Sequence, residues 1–175
     1  MKLSIAVVVL TYNEEKHIAR CINNVKGIAS RVYVIDSFST DETCEIATSL
    51  GATVIQHTFV NQAQQLQWAL DTCEIQGDWI LRLDADEYLS DKLIEEIKKT
   101  LPTLSLDITG CDMPRDVVFM GKHLKWGKCK STRLMRLWRN GAAYVEQRWM
   151  DEHCILKYGN VHHLHHCFLM TITMV

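Results

Sequence analysis

The 175 residues are 47% hydrophobic and 23% charged, with 8 Gly and 2 Pro, a composition that excludes a disordered or collagen-like chain. The longest aliphatic run, Ile5 to Leu10, falls far short of the roughly twenty residues a membrane-spanning helix needs, and the lone Lys2 before it makes a poor signal peptide. A net charge of −2 excludes the basic excess expected of a general nucleic-acid binder.

Ser4 to Leu10 is a continuous β-branched run, as in a strand buried on both faces of a parallel sheet. Glu14 to Val25 then places Ile18, Ile22 and Val25 on one helical face, with Glu14 and Glu15 in the first turn. A second strand is predicted from Arg31 to Ile35. Ser39 and Glu42 form a capping box for a helix reaching about Leu50 and Gly51. Thr53 to Ile55 reads as a third strand. Asn61 caps a helix that turns Ala63, Leu66, Leu70 and Cys73 inward, and Trp79 to Leu83 makes a fourth strand. Ser90 opens a last helix with Leu93, Ile94, Ile97 and Leu101 inward, stopped by Pro102. Strand and helix alternate over residues 3–101, which predicts a doubly wound α/β sheet with its ligand at the carboxyl ends of the strands. After Pro102 the short strand candidates 111–113, 117–119, 134–138 and 143–145 read as a mixed or antiparallel extension of the same domain.

Three polar clusters follow the apolar strands: Thr11 to Glu15, Asp36 to Asp41, and Asp84 to Glu87. Asp41 reads as a helix cap. Asp84 and Asp86 carry the sharpest signal, because residues i and i+2 of extended backbone point the same way. Their two carboxylates can converge on a hard divalent cation, Mg²⁺ or Mn²⁺, that bridges phosphate oxygens.

Strand ends reading TYNEE, VIDSFSTDET and WILRLDADE, in that order, resemble family 2 glycosyltransferases of the GT-A fold, in particular the bacterial branch that builds the lipopolysaccharide core. The resemblance covers residues 3 to about 165. It implies a Rossmann-like, doubly wound, mostly parallel sheet, in which residues 3–101 bind the nucleotide and residues 102–166 face the acceptor. The implied reaction is inverting transfer of a hexose from a nucleotide diphosphate sugar, a UDP-sugar first, to a saccharide or lipid-linked acceptor. By the same resemblance Thr11, Tyr12, Asn13, Glu14 and Asp36 hold the base and ribose. Asp86 is the direct metal ligand, and Asp84 reaches the ribose, the sugar or a metal-bound water. Many relatives have two adjacent acids where this chain has Asp36-Ser37. The general base that takes the acceptor proton falls to Asp151 or Glu152, with Asp151 favoured.

Lys122, Lys125, Lys128, Lys130, Arg133 and Arg136, interleaved with Trp126 and Trp138, suit phosphate or an anionic lipid-linked acceptor and equally an ordinary solvated face. The histidines from His162 to His166 invite a zinc reading, but the aspartate pair already provides for a hard metal; a late histidine completes the metal site in some GT-A enzymes, and the resemblance makes His162 or His165 the candidate for that role here. Seven Cys without a CxxC pair argue against disulfides, and Cys21, Cys44, Cys73 and Cys111 are expected to pack in the core. Together these features predict a cytoplasmic protein, with peripheral contact at the inner membrane face compatible.

Residues 167–175, CFLMTITMV, read as an apolar tail outside the 1–166 domain, marking a truncated copy and exposing an aggregation-prone segment. A nucleotide-binding but catalytically impaired remnant is therefore one alternative, although residues 3–101 should still bind UDP and metal. A nucleotidyltransferase is another, disfavoured because no Gly-rich phosphate loop follows the first strand.

Overall fold

The computed structural model describes residues 4–123, 132–147 and 153–172. The chain runs through β1 (Ile5–Thr11), α1 (Ile18–Val25), β2 (Ala29–Asp36), α2 (Thr43–Ser49), β3 (Thr53–Gln56), α3 (Gln62–Thr72), β4 (Trp79–Asp84), β5 (Glu87–Leu89) and α4 (Asp91–Thr100). It continues through β6 (Ile108–Phe119), β7 (Lys122–His123), β8 (Thr132–Arg139), β9 (Ala143–Val145), β10 (Cys154–Leu156), β11 (Asn160–His163) and β12 (Phe168–Ile172). The main sheet has the order β3-β2-β1-β4-β8-β6-β12-β5, with β7 and β11 also on β6, while β9 and β10 form a separate antiparallel pair. Strands β3, β2, β1 and β4 are parallel, and β8 joins β4 antiparallel.

All seven residues of β1 are buried, as a strand covered on both faces requires. Ile5, Val7 and Val9 face a core closed by α1, α2 and α4, whereas Val8 and Leu10 face the α3 and β9 side. The period-2 alternation thus divides one run of aliphatics between two cores.

Several boundaries differ from the sequence reading. Helix α1 starts at Ile18, because Asn13 is in left-handed backbone (φ 51°) and the Glu14 N–H donates to Thr43 Oγ1 at 2.8 Å, holding this stretch as a turn. The Ser39–Glu42 capping box does not form. Ser39 Oγ accepts from the Asn13 N–H and donates to Asp36, and α2 begins at Thr43, whose N–H donates to Asp41 Oδ1 at 3.0 Å. The caps Asn61 and Ser90 form as expected, accepting from the Gln64 and Leu93 N–H groups. The two strands expected at 111–113 and 117–119 are one strand, β6, passing through Pro114. On one edge β6 pairs with β11 as far as Asp112 and with β12 from Arg115 onward. Pro114, which has no N–H to donate, falls in the gap between those partners. Cys21, Cys73 and Cys111 are buried as expected, while Cys44 is only half-buried.

The largest difference is the apolar tail. Phe168 to Ile172 is strand β12, parallel to β6 and antiparallel to β5, with Phe168 fully buried. Of the residues expected outside the domain and exposed, Phe168 to Ile172 lie inside the sheet. Glu96 on α4 fixes the turn that leads into β12: its carboxylate accepts from the His165 N–H at 2.9 Å, the His166 N–H at 3.0 Å and the Nδ1–H of both rings at 2.8 Å. Burial pushes this carboxyl up, but these donors outweigh it and hold the pKa at about 2, against an ordinary 4.5. A depressed acid stabilises the fold fully above its ordinary pKa and loses that contribution as pH falls towards the folded value. Glu96→Gln is therefore expected to cost about 1–3 kcal/mol near neutral pH. Denaturant titrations should show the difference from the parent shrinking between about pH 4.5 and about pH 2.

Candidate active site

The parallel strands β1 and β4 end side by side, Leu10 opposite Asp84, so the polar residues that follow each strand share one edge of the sheet. A cleft of about 450 Å³ opens there, with Thr11, Tyr12 and Glu14 from the first strand end and Asp84, Ala85 and Asp86 from the fourth. Thr11 is buried, and its Oγ1 has no hydrogen-bond partner among the described residues, an arrangement that favours a ligand acceptor or donor at that point. Tyr12 is exposed. Glu14 Oε2 lies 2.7 Å from His17 Nδ1.

Asp84 Oδ1 accepts from Arg82 Nη2 at 3.0 Å, and its Oδ2 lies 3.7 Å from Arg136 Nη2. The Asp84 N–H donates to Glu87 Oε2 at 2.9 Å, and Glu87, fully buried, is paired with Arg136 at 2.7 Å. Asp86 has a different environment. Its backbone carbonyl accepts from Arg20 Nη2 and from the Thr171 N–H, both at 3.1 Å, while burial and the neighbouring Asp84 and Glu14 charges push its carboxyl up to about 6. The site is therefore short of positive charge at Asp86. Asp84 and Asp86 offer hard carboxylate oxygens of the kind Mg²⁺ takes from one or two protein carboxylates.

Two of the expected binding residues do not reach the cleft wall. Asp36 is fully buried and accepts from the Ser39 N–H at 2.9 Å, from Ser39 Oγ and from Gln56 Nε2 at 3.1 Å. Burial pushes its carboxyl up, but these bonds prevail and hold it below the usual carboxylate range. Asn13 accepts from the Thr40 N–H at 2.8 Å and, with Asp36, ties the loops after β1 and β2 together. The cleft instead takes Ser37, Phe59, Gln62, Gln65 and Met170, none of which the sequence reading singled out. Gln65 lies off the α3 face of Ala63, Leu66, Leu70 and Cys73 that spacing picks out; it is buried one turn before Ala69 and bonds His57 and Ser37. Asp151 and Glu152 lie outside the described residues, as do Lys125, Trp126, Lys128 and Lys130. The remaining basic residues disperse: Lys122 is exposed on β7, Arg133 pairs with Asp112, and Arg136 is buried. Trp138 is a core residue.

Among the described residues no group of three or more His, Cys, Asp or Glu is placed to hold a metal. His162 lies on β11, and His165 bonds Glu96 on α4, away from Asp84 and Asp86. Nor is any described helix long and apolar enough to cross a membrane.

Residues 6–170 match the pattern of Glycosyl transferase family 2. The chain belongs to this family. An uncharacterised glycosyltransferase of Rickettsia typhi is 45% identical over 94 residues, covering 54% of this family 2 chain and 32% of that protein. The lipopolysaccharide core biosynthesis glycosyltransferase LpsC of Rhizobium meliloti is 27% identical over 165 residues, covering 91% of this chain and 60% of LpsC. The chain thus spans less than two thirds of either relative. The fold is that of TarS from S. aureus, with a TM-score of 0.62 at 15% identity over 97% of this chain and 60% of TarS. A glucosyl-3-phosphoglycerate synthase from Mycobacterium tuberculosis, solved with Mn²⁺, UDP and glucosyl-3-phosphoglycerate, gives 0.51 at 22% identity over 68% of this chain and 45% of that one. The architecture is therefore GT-A: α/β, with a mostly parallel central sheet carrying a mixed extension.

Proposed function

We propose that this family 2 domain transfers a hexose from a nucleotide diphosphate sugar, a UDP-sugar first, to a hydroxyl of a saccharide or lipid-linked acceptor, with inversion, in lipopolysaccharide or other cell-surface glycan synthesis. The observation that carries this reading is the cleft that joins Thr11, Tyr12 and Glu14 to Asp84 and Asp86 at the ends of β1 and β4. The acceptor class follows the name of LpsC, and the donor and cation follow the UDP and Mn²⁺ bound by the mycobacterial synthase.

In this reading Thr11 and Tyr12 receive the base, the orphan Thr11 hydroxyl gaining a polar partner and the exposed Tyr12 ring a flat face. Asp36 and Asn13 act one step back, by fixing the loop geometry. Asp86, helped by Asp84, holds Mg²⁺ or Mn²⁺, which when bound offsets the negative charge of the departing diphosphate. Arg82 holds Asp84 in orientation. Asp151 or Glu152 takes the acceptor proton as the new bond forms.

The test is a screen of nucleotide sugars with Mn²⁺ and saccharide acceptors, read by chromatography. Release of the nucleoside diphosphate is expected, whereas release of a sugar 1-phosphate would identify nucleotidyl transfer and overturn the reading. With the donor in hand, Asp151→Asn should lower turnover by about 10² to 10⁴ while leaving donor affinity near the parent value. Glu152→Gln is the comparison that decides which of the pair is the base.

A further inference from the structure

A second cavity of about 450 Å³ lies beyond the Arg82–Asp84 pair, walled by β8, β10 and β11. Arg82, Arg133 and Arg136 all reach its wall, and Arg82 and Arg136 are only 4% exposed. Arg136 owes its position to a slip in register. Leu137 pairs with Cys111 and Met135 with Asp112, so Arg136 is the extra residue of a β-bulge, a feature that re-aims a side chain.

The hydrogen bonding of Arg136 is incomplete. Its Nη2 serves Glu87 and faces Asp84, and the Phe168 ring centroid lies 5.2 Å from the guanidinium carbon. Nε and Nη1 are buried without a hydrogen-bond partner among the described residues. Guanidinium N–H groups only donate and are not deprotonated in proteins, so an acceptor must satisfy them. Of the described lining residues, Asp112 is occupied by Arg133 at 2.6 Å and His163 at 2.9 Å, and Leu134, Ile155 and Leu156 present apolar side chains. An anion with several oxygens meets the unpartnered Arg136 donors and the available volume together.

We propose that this cavity is an oxyanion subsite that holds a phosphate or carboxylate carried by the acceptor saccharide. The assignment of that anion to an acceptor rests on the transferase reading above. The two cavities share a wall, because Arg82 Nη2 also donates to Gln62 Oε1 at 3.1 Å and Asp84 Oδ1 at 3.0 Å, both on the strand-end cleft. An acceptor anchored by its anion is thereby held beside the aspartates.

The experiment is calorimetry on the full chain without added metal, titrating inorganic phosphate, glucose 6-phosphate and glucuronate. Binding of UDP with Mn²⁺ is measured separately on the same protein. Val161, 38% exposed at the cavity, allows Val161→Glu to place a negative charge there without opening the core, and Arg133→Gln removes one cation as a second variant. Anion affinity should fall about tenfold or more in both variants, while UDP–Mn²⁺ affinity stays at the parent value. Tighter binding of the sugar phosphate identifies a phosphorylated acceptor, and tighter binding of glucuronate an acidic one. If UDP–Mn²⁺ binds but no anion does, or if anion binding ignores both substitutions, the oxyanion subsite is overturned and the transferase reading stands. If the anions bind as described and UDP–Mn²⁺ does not, the transferase reading fails and the anion site stands.

Discussion

Asp86→Asn is expected to abolish metal-dependent UDP binding and to reduce turnover by at least about 10²-fold, while making the metal-free protein more stable. The two effects share one cause. Burial and the charges of Asp84 and Glu14 push the Asp86 carboxyl up to about 6, from an ordinary 3.8. An acid with a raised folded-state pKa ionises more readily when unfolded, so it costs stability as pH rises from its ordinary value through the raised one. Above that window the metal-free parent carries the whole penalty, which for a half-buried group is discounted to about 1–2 kcal/mol. Asn keeps the shape and the backbone carbonyl that accepts from Arg20 and Thr171, but not the charge. Thermal melts in chelator at about pH 8 should therefore show the variant melting higher, and calorimetry with UDP and Mn²⁺ should show binding lost. A solvated turn residue would change neither, so unchanged values in both measurements would remove Asp86 from the site. The trade of stability for binding is common where like charges are gathered to receive a cation.

What could be read from the sequence depended on how local the determining physics was. Strands β1, β2 and β4 announce themselves because a strand buried on both faces has to be apolar at successive positions, and the polar residues following them mark the sheet edge. The place of Asp84 and Asp86 at that edge was legible for that reason. The part played by Asp36 was not, since its carboxylate is consumed by Ser39 and by Gln56 at the end of a different strand, a contact that spacing does not encode. The left-handed backbone at Asn13, which shortened α1, likewise depends on the neighbouring loop supplying Ser39 and Thr40 as partners. The break expected between 111–113 and 117–119 does not occur, because β6 runs on while its edge changes partner, which β6 alone gives no hint of. Phe59 and Met170 enter the cleft from a loop and from a strand remote in sequence, so no pattern around either one points to it.

Strand β12 gives the last and largest expected effect on the fold. Read alone, residues 167–175 are an apolar string without partners; in the sheet, Phe168 to Ile172 fill a slot between β6 and β5, whose residues lie far earlier in the chain. Phe168 is fully buried in the core shared with α1 and α4, beneath the Arg136 guanidinium. Phe168→Ala should therefore cost about 3–5 kcal/mol, whereas Phe168→Leu, which keeps most of the volume, should cost clearly less. The consequence reaches the site, because Met170 lines the cleft and the Thr171 N–H donates to the Asp86 carbonyl. A chain ending at His166 should accordingly lose both the cooperative melt and UDP–Mn²⁺ binding, contrary to the expectation that residues 3–101 bind nucleotide without it. If the shortened chain melts like the parent and binds UDP with unchanged affinity, β12 is dispensable; if it melts lower but still binds, the strand supports the fold and the site is organised by β1 and β4 alone.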